Sequence, residues 1–389
     1  MANTLTNLAA DIYKAADKVG RELIGLIPSV TINGDASTRA AKGDTIRSHF
    51  TRTPAVNSTD TPSMTIPEGT DQTVDNKTMT INQYASVQIP WTGEDQKHVD
   101  NGSGFETIYG DQIQQAMRAI ANTIEAYLWG IAYKGASRAF GTAGTTPFAS
   151  DFSEIANVRQ ILVDNGCPSN DGLLSLVINS AAGTKLRNLA QLQKVNESGG
   201  SSLLRQGTLL DLQGFMLKES AGIGIHTKGA GTGYDVDLGA GYVKGNTTIH
   251  LDGGTVNATG IKAGDVVTFA GDTNKYIVNT GTTEVEADII LNGPGLFTAT
   301  LADAVEMTIG NSYTANLGLH KSAVELVIRP PALPKGGDAA VDTMTVQDPW
   351  SGLVFEIAVY KGYRKTMMEI RCLYDAKVWK SDHIATLLG

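Results

Sequence analysis

The chain has 389 residues, 43 of them glycine, and 40 acidic against 31 basic side chains, for a net charge of −9. That length fits two or three domains, and the acidic balance argues against a free-standing nucleic-acid binder, which is usually basic. Two distant cysteines, Cys167 and Cys372, argue against a disulfide framework; no run of eighteen apolar residues offers a membrane span; the N-terminus has no basic-then-apolar signal layout, so folding in a cytoplasm is expected.

Residues 4–27 read as an amphipathic helix, with Leu5, Leu8, Ile12, Ala15, Ala16, Val19 and Leu23 on one face and Pro28 ending it. Two readings stay open there: a core helix, or an arm docking on a neighbouring subunit. The polar stretch TINGDASTRAAKGD reads as a linker, and Thr45–Phe50 as a strand. TRTPAVNSTDTPSMTIPEGTDQ, with three prolines, predicts a long extended excursion. Met79 and Ile81, then Ala85, Val87, Ile89 and Trp91, alternate with polar residues around Asn82-Gln83. That pattern predicts a hairpin whose apolar face packs on a neighbour, with Pro90 marking an edge strand or a bulge.

Ser103 to about Lys134 is the longest periodic stretch. Phe105, Ile108, Ile113, Ala116, Met117, Ile120, Ile124, Leu128 and Ile131 hold helical spacing, and Ser103 with Glu106 makes a capping box. The spacing predicts a rigid strut longer than a compact domain needs, with Gly110 and Gly130 as candidate bends. A helix over 152–165, a buried strand at Leu173–Ile178, a helix near 181–194 and a strand at Gly214–Glu219 follow, an α+β pattern. From about residue 222 to 314, short strands between turns predict a small β-barrel or sandwich able to fold alone. It holds ten acids against four bases. Beyond Asn316 come strands at Ala323–Ile328, Leu353–Tyr360 and Thr366–Tyr374, a last apolar patch at Tyr374, Ala376, Val378 and Trp379, and a polar end.

Signatures of chemistry are sparse. No Gly-Lys dipeptide exists, so a P-loop is excluded. GAGTG at 229–233 does not extend to a dinucleotide fingerprint and reads as a flexible linker. His49, His98, His226, His250, His320 and His383 never fall within five residues of one another, so no single helix offers two of them to a metal. No nucleophile elbow is present. DVDLGAG lacks calcium-loop spacing and reads as solvated turn carboxylates. Arg39, Lys42, Arg47 and Arg52 suit either phosphate contact or salt bridges, and Tyr127, Trp129 and Tyr133 read as packing more than as a ligand stripe. No catalytic, cofactor-binding or metal residue is assigned, no cofactor is expected, and the chain is read as not an enzyme.

The order of these parts resembles a tailed-bacteriophage major capsid protein, and more narrowly the P22-type coat protein family. GDTIRSHF followed by TDQTVDNKTMTINQYASVQIPWTGED is similar to that family's extended loop running into its spine helix. IKAGDVVTFAG with DTNKYIV resembles its inserted β-barrel. NLGLHKSAVELVIRPPALP, VQDPWSGLVFEIAVYKGY and YDAKVWKSDHIATLLG resemble the return through its core domains. The resemblance implies an HK97-like α+β fold. Its parts would be an N-terminal arm (1–44), an extended loop with peripheral strands (45–102), a spine helix (103–136), a first axial part (137–226), an inserted barrel (227–315) on the outer surface, and the return (316–389). It also implies self-assembly into hexameric and pentameric capsomers of an icosahedral head, on a scaffolding protein around a portal. That head is assembled in the host bacterial cytoplasm, makes weak non-specific contact with packaged double-stranded DNA, leaves a decoration protein as a candidate further partner, and involves no membrane. The alternative is an encapsulin-like nanocompartment shell. No lysine–asparagine crosslink is indicated.

Overall fold

In the computed structural model, which describes residues 25–51, 62, 64, 74–100, 105–194, 211–255, 259–347 and 352–389, the sequence builds two large sheets, a long helix and a barrel. The helix expected at 4–27 lies outside the described residues except for its end. There Gly25 and Leu26 bend into a short 3-10 turn, Ile27–Ser29, that contains Pro28. Ser103, and most of the expected excursion, also lie outside.

The first sheet is organised by the 14-residue strand Lys365–Val378. On one side it pairs with Val354–Gly362 and then Val324–Arg329, on the other with Gln83–Thr92; Ala340–Gln347 and Thr31–Gly34 lie at the outer ends. Because strand side chains alternate, Met368, Ile370, Cys372, Tyr374 and Ala376 form one buried face. The helix Phe105–Ala132, 28 residues and so about 42 Å long, covers that face with Ile113, Met117, Ile120, Ile124 and Leu128, none more than 2% exposed. The strut thus forms as its spacing predicts, and it runs through Gly110 and Gly130, beside which an added Cβ would meet nothing within 4 Å. The eight-residue helix before it, Gly93–Asp100, has one apolar residue, Val99, and therefore no period to read.

The expected hairpin is not formed. Val74–Thr80 pairs with Thr45–Thr51 as a separate two-stranded ribbon, and Gln83–Thr92 joins the sheet along Lys365–Tyr374. Asn82-Gln83 lacks the glycine that a two-residue hairpin turn favours. Between the two strands, Ile81 is 0% exposed, buried with Met79, Ala40, Val327 and Leu373. The chain therefore crosses from one layer to another at this point. Ile89 and, half-buried, Val87 face the long helix of their own chain rather than a neighbour. Pro90 sits on an edge strand, as its missing N–H allows. The polar linker is also corrected: Thr31–Gly34 is a parallel edge strand on Val324–Arg329.

The second sheet places Arg138–Phe140, Ile384–Leu388, Tyr313–His320, Leu174–Ile178 and Met216–Glu219 side by side. Ile384–Leu388, within the end expected to be polar, is wholly buried between two partners. Five apolar residues behind a polar turn carry too little pattern to separate a central strand from a tail. Helix Ser153–Asp164 packs on this sheet, whereas the helix expected near 181–194 divides into Ser180–Arg187 and Ala190–Gln193 because Leu189 is extended. Gly318, in the middle strand, has no room for a side chain: a Cβ would lie 2.5 Å from Val158 Cγ1. Gly318→Ala is expected to cost about 1–3 kcal/mol of stability through overpacking, read as a lower urea midpoint with an unchanged slope; an unchanged midpoint would show that the helix yields freely.

The segment beyond residue 226 closes on itself. Val266–Phe269, Glu306–Ile309, Tyr234–Val236, Thr248–Asp252, Ala287–Leu291 and Lys275–Thr280 each pair with the next, and the last pairs with the first. Such closure removes open edges around a separate core that includes Tyr234, Ile249, Phe269 and Tyr276. It is not fully independent, since Lys275 and Tyr276 also pair with Ala139 and Arg138. A fragment spanning 229–313 is expected to fold, giving a dispersed amide spectrum with lower stability than in the whole chain; a collapsed spectrum would mean that the Arg138–Phe140 strand is required.

Candidate assembly surface

The ribbon of Thr45–Thr51 and Val74–Thr80 has seven register pairs and joins neither sheet. Among the described side chains, Met79 and Ile46 meet Val327, Leu373 and Trp379, Lys77 Nζ donates to Trp379 O at 2.8 Å, and Lys377 Nζ donates to Thr78 O at 2.7 Å. Arg47 on the ribbon and Lys42 before it are exposed. Arg39 is engaged inside the chain, donating to Pro331 O at 2.7 Å and to Glu356 Oε1 at 2.6 Å. Arg52 lies outside the described residues.

The sheet face turned away from the long helix carries charge. Glu356 (0% exposed), Glu369 and Arg371 are buried together, with Arg371 Nε 3.3 Å from Glu356 Oε2 and Nη1 3.2 Å from Glu369 Oε2. Tyr360 Oη donates to Asp338 Oδ2 and accepts from Arg371 Nη1 at 2.9 Å; burial, then the Asp338 carboxylate, pushes its phenol up to about 12. At the tip of the same strand pair Tyr363 is 93% exposed among Lys361, Arg364 and Lys365, and Arg364 reaches Glu94 at 2.6 Å. On the outer strand Ala340–Gln347, Val341 is also exposed.

Another buried carboxylate ties the described start of the chain to the strut. Glu125 accepts from the backbone N–H groups of Gly25 (3.0 Å), Leu26 (2.7 Å) and Ile27 (2.9 Å) and from Ser220 Oγ (2.6 Å). Burial pushes its carboxyl up, and those hydrogen bonds oppose the shift. Sequence reasoning missed this residue, although a charge in the apolar stripe between Ala121 and Leu128 was a readable signal.

The aromatic stripe on the strut is packing. Tyr127 Oη donates to Asp375, Trp129 Nε1 to Ala315 O, and Tyr133 stacks on Trp129 and meets His226 Nδ1 at 3.2 Å. His226 in turn lies 2.7 Å from Asp265 Oδ1, at the neck where the barrel leaves the sheet. GAGTG is not a flexible linker: Gly229 N donates to Asp265, and a Cβ there would lie 2.1 Å from Gly260 O. The two backbones approach too closely for any other residue. His320 bridges Asp171 (2.8 Å) and Ser322 Oγ (2.8 Å), which has the residue types of a hydrolytic triad. Ser322 N also donates to the same ring nitrogen, so the group caps the turn Lys321–Ala323. His250 stands with Asp237, Glu286 and Asp288 on the barrel, where Asp288 and Glu286 raise its imidazole's affinity for a proton. The side chains of His49 and His98 lie outside the described residues. Burial pushes the thiols of Cys167 and Cys372 up to about 12. Among the described residues no helix is long and apolar enough to cross a membrane.

No family model and no curated protein matches the chain. Solved structures similar to it include one of Mycobacterium phage Che8 (TM-score 0.47, 14% identity, covering 89% of this chain and 85% of that one). The capsid of cyanophage P-SCSP1u is similar at TM-score 0.49 and 11% identity, covering 92% and 86%. A virus-like particle from Pyrococcus furiosus is similar at TM-score 0.40 and 8% identity, covering 97% and 96%.

Proposed function

We propose that this chain is a shell subunit: the major coat protein of a tailed bacteriophage, with an HK97-like fold and a P22-type inserted barrel. One observation carries the reading. The ribbon Thr45–Thr51/Val74–Thr80 stands outside both sheets, touching its own chain through Ile46, Lys77, Thr78 and Met79, and a two-stranded ribbon without further packing is marginal in water. It needs a surface to lie on, and a neighbouring subunit supplies one. The rest of the architecture suits a wall. A strut of about 42 Å stiffens a sheet of six strands, and the barrel joins the second sheet at the His226–Tyr313 neck and through the pairing of Lys275 and Tyr276 with Ala139 and Arg138. Many weak contacts made at once hold such a shell.

On this reading the subunits form hexameric and pentameric capsomers, co-assembled with a scaffolding protein around a portal, and the finished head encloses double-stranded DNA. Its location is the virion, assembled in the bacterial cytoplasm. The test is electron microscopy of the expressed chain with and without its scaffold, followed by nuclease treatment of particles made during infection. Closed shells holding protected DNA are expected. Chains that stay monomeric under every condition would refute assembly, and shells holding protein cargo without DNA would move the assignment to a nanocompartment.

A further inference from the structure

The barrel gathers an imidazole and three carboxylates from strands far apart in sequence. His250 is in Thr248–Asp252, directly opposite Asp288 on Ala287–Leu291; Glu286 immediately precedes that strand, and Asp237 follows Tyr234–Val236. The backbone beneath is fixed, because Asp237 N donates to His250 O at 3.1 Å and His250 N donates to Tyr242 Oη at 2.8 Å.

We propose that Asp237, His250 and Glu286 form a binding site for a divalent transition-metal ion of the zinc class. Their donor atoms all lie within 4.8 Å of one another. His250 Nε2 is 3.5 Å from Glu286 Oε1 and 3.9 Å from Asp237 Oδ2. A tetrahedral ion with bonds near 2.0–2.1 Å needs donors about 3.3 Å apart, so small rotations of two exposed carboxylates complete the shell. Asp288 supplies what such a site needs behind its imidazole: its Oδ1 is 2.6 Å from Nδ1, which holds the ring with Nε2 turned toward the other two donors. The fourth position opens to solvent and takes water.

The imidazole is what separates this group from the barrel's other acids. Asp252, Asp303 and Glu306 lie elsewhere on the same module, and no group including them converges as these three do among the described residues. Magnesium and calcium favour all-oxygen shells, whereas a nitrogen donor favours zinc, nickel or copper. The site belongs to the barrel itself and does not depend on the shell reading. Bound metal would tie three strands of the ring together on its outer surface.

The experiment is calorimetric titration of the intact chain, free of any histidine tag, with Zn²⁺ and with Mg²⁺, alongside the visible spectrum with Co²⁺. One Zn²⁺ per chain is expected, with Co²⁺ bands of a low-coordinate site and negligible Mg²⁺ uptake. His250→Ala should abolish binding, and Glu286→Gln should weaken it. Asp288→Asn should weaken it about tenfold at unchanged stoichiometry, as removal of an outer partner does. The proposal is overturned if the wild-type chain takes up no Zn²⁺, if His250→Ala binds as the wild type does, or if Mg²⁺ competes equally, which would mark a diffuse acidic surface.

Discussion

Replacing Arg371 by alanine is expected to lower the unfolding free energy of the dispersed subunit by about 3–5 kcal/mol, the usual cost of stripping one partner from a buried ion pair. The guanidinium is 8% exposed between Glu356, which is fully buried, and Glu369, 7% exposed. Without it, among the described residues, Glu356 keeps Arg39 at 2.6 Å, and Glu369 keeps the hydroxyl of Tyr84 at 3.2 Å. Glu356, Glu369 and Asp338, which Arg371 Nη2 also reaches at 3.4 Å, then share one face with one cation, Arg39, among them. They can relieve the strain only by taking up protons or by opening the sheet to water. The same physics predicts recovery: Arg371→Met combined with Glu356→Gln and Glu369→Gln should restore most of the loss, because desolvating three charges is itself expensive. Urea unfolding followed by tryptophan fluorescence reads both variants. A change within about 0.5 kcal/mol for Arg371→Ala, typical of an exposed site, would mean that the cluster is solvated.

The parts of this architecture that could be read from the chain are those with a sustained period or a repeated turn signal. The helix Phe105–Ala132 keeps its apolar stripe over 28 residues, and Leu174–Ile178 is an unbroken apolar run. The barrel shows itself through glycine-punctuated strands. What could not be read depends on partners distant in sequence. Gln83–Thr92 takes its place from Lys365–Tyr374, and Ile384–Leu388 from Arg138–Phe140 and Tyr313–His320. No local pattern encodes either choice. The buried charges are similar. Arg39, Glu356 and Arg371 span most of the chain, and their one visible trace is a charge interrupting the apolar runs FEIAV and MMEIRCLY. The barrel's His250 likewise sits in an ordinary alternating strand, TTIHLDG, and gains its neighbours through the pairings with Ala287–Leu291 and Tyr234–Val236.

Glu125→Gln, nearly isosteric, is expected to cost about 1–3 kcal/mol, the penalty for a buried polar group left unpaired, and Glu125→Ala more. Three of the four groups facing the carboxylate are backbone N–H groups, which can only donate. Oε1 accepts from Gly25 and Leu26, and Oε2 accepts from Ile27. Whichever way a glutamine amide turns, its NH₂ points at an N–H. A carboxylate is the one side chain of this size that accepts on both sides. The consequence concerns how the turn Ile27–Ser29 is held against the strut. The bend at Gly25 and Leu26 and the turn Ile27–Ser29 have this carboxylate as their fixed point, with Lys218 Nζ holding Ser29 Oγ from the far side at 3.0 Å. Releasing it should free the turn at Gly25–Ser29 without melting the helix, whose stripe packs on the sheet independently. Hydrogen exchange distinguishes the two outcomes. In Glu125→Gln the amides of Leu26 and Ile27 should exchange much faster, while those of Ile120 and Ile124 stay protected. Unchanged protection at Leu26 and Ile27 would show that packing, not the carboxylate, fixes this turn; loss of protection along the helix would show that Glu125 supports the whole strut.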